Sequence, residues 1–155
     1  MQQAQQWYAA HPLAQYPNAQ TWNGGCTQQQ LDWLQEQLLD ARSKQHQVIV
    51  ACHHPIAPGS APDEYLAWDN DKILQLMCDN DSSESSGPTG SVVKVVLSGH
   101  YHPGGYALHR GVHFVVLEGV LESPADSNAY ACVVVQGDKM QITGSGVAST
   151  RTLQL

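Results

Sequence analysis

The sequence predicts an α/β fold whose C-terminal part is rich in β-strand. Two short runs of Val, Ile and Leu, QVIVAC (47–52) and VVKVVLS (92–98), are each preceded by a segment with helical spacing of apolar residues. After the second run the pattern turns to strands flanking Arg110-Gly111 and Gly137-Asp138, which reads as hairpins. The 155 residues are 42% hydrophobic and 14% charged, enough apolar material for one domain or part of one.

Residues 1–22 are rich in Gln, Ala and aromatics, with Pro12 and Pro17, and show no clear period. They read as an irregular lead-in with room for one short helix before Pro12. Asn23-Gly24-Gly25 is a turn signal. Thr27 follows as an N-cap with Gln30 three residues on, the pattern of a capping box. Leu31, Leu34, Leu38 and Ala41 then recur at helical spacing, so a helix runs from Thr27 to about Ser43. QVIVAC reads as a buried strand, parallel because a helix precedes it, and Pro55 stops it after His53-His54.

Ile73, Leu74 and Met77 mark a second helix from about Asp69 to Cys78. Residues 79–91, DNDSSESSGPTGS, contain no apolar side chain and read as a low-complexity loop. VVKVVLS is the second buried strand. YALHR with VHFVVLEG, and AYACVVVQ with KMQITGS, supply the hairpin strands. The terminal ASTRTLQL is expected to fray.

Composition excludes several function classes. The formal charge is −7 and there is no basic run, so no nucleic-acid partner is expected. No apolar stretch reaches the ~20 residues of a membrane span. The N-terminus lacks a basic region followed by an apolar one, so no signal peptide is expected. Cys26, Cys52, Cys78 and Cys132 form no CxxC pair, which argues against a structural zinc site. They read as free thiols in a reducing, cytoplasmic compartment, with Cys52 and Cys132 as small buried hydrophobes.

The histidines carry the chemistry. His53 and His54 follow one strand, and His100 and His102, in SGHYHPGG, follow the other. Ligands of open α/β sheets bind at the carboxyl ends of strands, so the two groups converge if the strands are neighbours. Neutral imidazole suits Mn, Fe and Zn, and the end of a buried strand holds it rigidly. In GHYH both rings could face one way, or the chain could turn so that each faces a different ion. His11, His46, His109 and His113 read as surface polar residues.

TWNGGCTQQQLDWL, CHHPIAPGSAP, AWD, SGHYHPGGY, GVHFVVLEG and GDKM occur in this order from Thr21 to Ile142. On these segments the chain resembles the back half of a calcineurin-like metallophosphoesterase, closest to the manganese-dependent members that cleave ADP-ribose or CDP-alcohols. The resemblance implies that residues 23–155 form part of a four-layer αββα sandwich. It implies His53 and His100 as ligands of one ion and His102 of the other, with His54 at a variable, non-ligating position. It further implies a dinuclear Mn2+ cofactor (with Fe or Zn as alternatives) and a nucleotide diphosphate as substrate. Gly104, Gly105 and Tyr106 stand beside the ligands as candidate substrate-binding residues.

The family's front half carries D-x-H, GDxxD and GNHE or GNHD segments, and none of these occurs here. Three imidazoles cannot bridge two ions, because each binds one ion through one nitrogen. The expectation is therefore a chain that alone binds metal weakly and hydrolyses little, with a missing N-terminal half supplied in cis or in trans. No catalytic residue is identified in it. The alternatives are a catalytically dead interaction module or another metallophosphoesterase, such as a cyclic-nucleotide phosphodiesterase.

Overall fold

The computed structural model describes residues 2–78 and 91–155. In chain order the elements are α1 (Gln2–Ala10), α2 (Gln28–Ser43), β1 (Val48–Ala51), α3 (Asn70–Cys78), β2 (Val93–Ser98), β3 (Gly105–His109), β4 (Val112–Val116), β5 (Ala129–Gln136), β6 (Lys139–Gly146) and β7 (Arg151–Gln154). Two single-turn 3-10 helices, Asp63–Tyr65 and Val120–Glu122, lie in the connections. The loop expected over 79–91 falls almost wholly outside the described residues.

β1, β2 and β4 are parallel, β3 closes the sheet antiparallel, and the order is β1-β2-β4-β3. β5, β6 and β7 form a second, antiparallel sheet. On one side of the first sheet, Val96, Val112 and Phe114 pack against Leu31, Leu38, Ile73 and Met77 of α2 and α3. On the other, Val95 and Val115 pack against Met140, Ile142 and Leu153 of the second sheet. Successive strand residues point to opposite faces, so β2 and β4 feed both cores and are mostly apolar, with Lys94, Ser98 and His113 the exceptions. The described residues thus form three layers: helices, a mixed sheet and an antiparallel sheet.

The expected capping box is present. Gln30 N donates to Thr27 Oγ1 at 3.3 Å, and Thr27 N donates to Gln30 Oε1 at 2.8 Å. Thr27→Ala removes one half of this exchange and is expected to cost about 1 kcal/mol. A urea unfolding midpoint no lower than that of the wild type would contradict it. The hairpin turns also fall where expected. Arg110 and Gly111 both have positive φ, 49° and 80°, as a two-residue type I′ turn requires. At the other turn only the first central residue, Gly137, has positive φ, at 59°, which fits type II′.

Five expectations are corrected. The lead-in is not loose: α1 docks by stacking Trp7 on Trp68, with ring centroids 5.0 Å apart, and Ala19 is buried. Asn18 Nδ2 donates to the Ala67 carbonyl at 2.8 Å. Aromatic stacking and one buried amide leave no periodic trace. The C-terminus is not frayed either, because β7 pairs with β6 and buries Leu153. A terminal strand already paired by its backbone needs only one inward apolar side chain. β1 is parallel but half-exposed, since among the described residues it is an edge strand paired on one side only. Finally, Cys132 is exposed and His113 buried. His113 donates from Nε2 to the Gln154 carbonyl at 2.8 Å and accepts from the Tyr106 hydroxyl at 2.9 Å, joining the two sheets. The four cysteines are free thiols, as expected.

Candidate metal centre

β1 and β2 are direct neighbours, with Ala51 paired to Leu97, so their carboxyl ends lie side by side. Two backbone bonds extend the pairing past the strands: Cys52 N to Leu97 O and Gly99 N to His53 O, both 3.0 Å. His100 then takes a left-handed backbone with φ 68°, unusual for a residue other than glycine. This local strain accompanies a close approach of ring nitrogens, His53 Nε2 to His100 Nδ1, at 3.2 Å. The ring of His54 joins them, with centroids 4.8 Å from His53 and 4.4 Å from His100. One nitrogen from each of His53, His54 and His100 falls within a 4.8 Å set.

Neighbouring residues fix the rings. Asn23 is buried, and its Nδ2 donates to the carbonyls of Asn18 at 2.9 Å and Glu64 at 2.7 Å. Its Oδ1 must therefore face His100 Nε2, 2.8 Å away, and accept from it. The Asn-Gly-Gly signal marked only a turn in the sequence, yet its side chain and backbone line the cluster. Gly24 lies against His54, where an added Cβ would sit 3.2 Å from Cε1.

Burial, reinforced by His54, His53 and His102, pushes the His100 ring down to about 4. Burial and His53 also lower His54, against a hydrogen bond to the Trp22 backbone. Both rings are neutral at pH 7, the form that ligates metal. His100 binds its proton more readily unfolded than folded. Stability of the metal-free chain should therefore be fully present above pH 6.5 and decline as the pH falls through about 4. The urea midpoint should already be lower at pH 5.5 than at pH 7; equal midpoints would contradict this.

His102 stands apart from the three-ring cluster. Its Nδ1 lies 2.5 Å from Glu122 Oε2, and its carbonyl accepts from Gly119 N at 2.9 Å. It nevertheless borders the same cleft. A cavity of about 630 Å³ is lined by the strand ends, His53, His100 and His102, and by Leu117, Glu118, Val120 and Leu121. Burial raises the Glu118 carboxyl, but the Ser149 hydroxyl at 2.5 Å, backbone bonds and Arg151 outweigh this and hold it below its usual value. Sequence reasoning missed Asn23, Glu118 and Glu122, because no spacing signal links them to the histidines.

The three candidate substrate-binding residues do not line this cavity. Gly105 is a site of close packing, where an added Cβ would lie 2.0 Å from the Ser60 carbonyl oxygen. Gly104 has φ 73° and faces Glu118. Tyr106 turns to His113, and the Arg151 guanidinium lies 5.5 Å from its ring centroid. Among the described residues the clustered donors are three histidines with no carboxylate. That set fits one ion and does not fit a bridged pair.

No protein-family model matches the chain. It is similar to manganese-dependent ADP-ribose/CDP-alcohol diphosphatases from three organisms. The Xenopus laevis protein is 34% identical over 84% of this chain and 34% of its own length. The Arabidopsis thaliana protein is 36% identical over 80% and 37%, and the Mus musculus protein 36% identical over 88% and 38%. The chain thus spans a little over a third of the length of these curated relatives. A dimetal phosphatase from Danio rerio superposes with a TM-score of 0.78 and 30% identity, covering 93% of this chain and 42% of that one. Among the described residues no helix is long and apolar enough to cross a membrane. In sequence this chain resembles a portion, a little over a third in length, of the manganese-dependent ADP-ribose/CDP-alcohol diphosphatases, and in fold it resembles part of a dimetal phosphatase.

Proposed function

We propose that this chain supplies the histidine side of the metal site in a phosphohydrolase that cleaves the pyrophosphate of ADP-ribose or a CDP-alcohol. The products would be AMP and ribose 5-phosphate, or CMP and a phosphoalcohol. One observation carries the reading: His53 and His100 meet at the ends of adjacent parallel strands, in a chain similar to enzymes of that name. Manganese is the cofactor this reading implies, with His102 reserved for a second ion. Carboxylate ligands come from a further segment, in cis or in trans. The apolar wall of Leu117, Val120 and Leu121 would shelter the bound nucleotide diphosphate from water.

Product analysis with Mn2+ tests this on ADP-ribose, CDP-choline and a cyclic nucleotide. The chain alone should release little product. Joined to a segment carrying the three absent motifs, it should release AMP or CMP, and His53→Ala should abolish that release. A joined form that binds two Mn2+ ions yet hydrolyses only the cyclic nucleotide, or nothing, would overturn the reading.

A further inference from the structure

The outer contacts of the histidine cluster determine which ring nitrogens are bare. Asn23 Oδ1 is held by the two bonds from its own amide nitrogen, so His100 must carry its proton on Nε2. Its Nδ1 is then a free lone pair facing His53. In His54, Nε2 is buried with no hydrogen-bond partner. A bare Nε2 leaves Nδ1 to carry the proton of the neutral ring. A buried ring nitrogen without a partner is costly, and metal ligation is one way to satisfy it. Ligating histidines ordinarily donate their other ring N–H to a carbonyl or carboxylate-type oxygen, and Asn23 Oδ1 provides that oxygen for His100. His53 is exposed and can carry its proton on Nδ1, freeing Nε2 as the third donor.

We propose that His53, His54 and His100 form a mononuclear three-imidazole site of this chain's own, preset by Asn23 and by the packing of Gly24 against His54. It takes a borderline divalent cation such as Zn2+ or Co2+ in preference to Mn2+. Three neutral nitrogens with no carboxylate match the donor preference of Zn2+ and Co2+, whereas Mn2+ stands lowest in affinity for such a set. His54, which the family resemblance leaves out, is then a ligand. The site stands on these contacts alone, whether or not the hydrolase reading does.

The test is a Co2+ titration of the metal-free chain followed by visible d–d absorption, with competition by Zn2+ and by Mn2+. One Co2+ should bind per chain, displaced by Zn2+ and not by equimolar Mn2+. His54→Ala should weaken Zn2+ binding by about 10-fold or more, while His46→Ala, at an exposed residue, should leave it unchanged. Nitrogen-15 imidazole spectra of the wild type keep the question open to decision if His54→Ala does not fold. They should show protons on His54 Nδ1 and His100 Nε2, and Zn2+ should shift His54 Nε2. Opposite tautomers, no metal-induced shift at His54, a thiolate-to-cobalt charge-transfer band, or tighter binding of Mn2+ would each overturn the proposal.

Discussion

His100→Gly is expected to weaken divalent-metal binding by at least about 100-fold, because losing an outer-shell partner alone commonly costs 10–100-fold and this substitution removes one of the three clustered imidazoles proposed as ligands. Glycine is the informative replacement. At φ 68° a side chain is strained and glycine is not, so the turn after β2 should keep its shape without the ring. Relief of that strain offsets the lost bond to Asn23. The unfolding free energy of the metal-free chain should therefore change by less than about 1 kcal/mol. Calorimetric titration with Zn2+ and with Mn2+, beside urea unfolding, separates the two effects. Wild-type affinity in the variant would remove His100 from the site; lost affinity together with a collapsed urea midpoint would mean that the ring is chiefly structural.

Phe114→Ala should be the most destabilising of the substitutions considered, by about 3–5 kcal/mol. Phe114 is 2% exposed and sits in β4 with a paired strand on each side, packed toward the helices. Neighbouring strands are fixed by their backbone ladders and cannot close over the cavity. For a chain of this size the loss corresponds to a Tm lower by roughly 10 °C. A fall of less than about 1 kcal/mol would mean that the α2–α3 layer collapses into the space. Metal affinity of the surviving folded fraction should hold, since the ring lies among the helix-facing core residues rather than in the cleft.

The exposed part of the second sheet offers a contrast. Val133, Val134 and Val135 of β5 are 41%, 56% and 50% exposed, on an edge strand with neither face fully covered. Continuous apolar sequence normally signals burial on both faces, and β2 and β4 obey that rule while β5 does not.

By itself the sequence determined the elements whose signals are local. The capping box at Thr27 and Gln30, the apolar stripe of α2, the β-branched runs of β1 and β2, and the positive-φ turns at Gly111 and Gly137 all depend on neighbours within a few residues. It also placed His53 and His100 at strand ends, because the motif and the strand are contiguous. What only the tertiary structure decided are contacts between distant segments. Asn23 reaches His100 across 77 residues, Trp7 reaches Trp68, and His113 reaches Gln154. One amide or one ring carries each of these, and a single residue has no period to read. The same reason hides His54, which looks like a filler between His53 and Pro55 until its ring is seen packed against Gly24, with Nε2 without a partner, beside the other two rings.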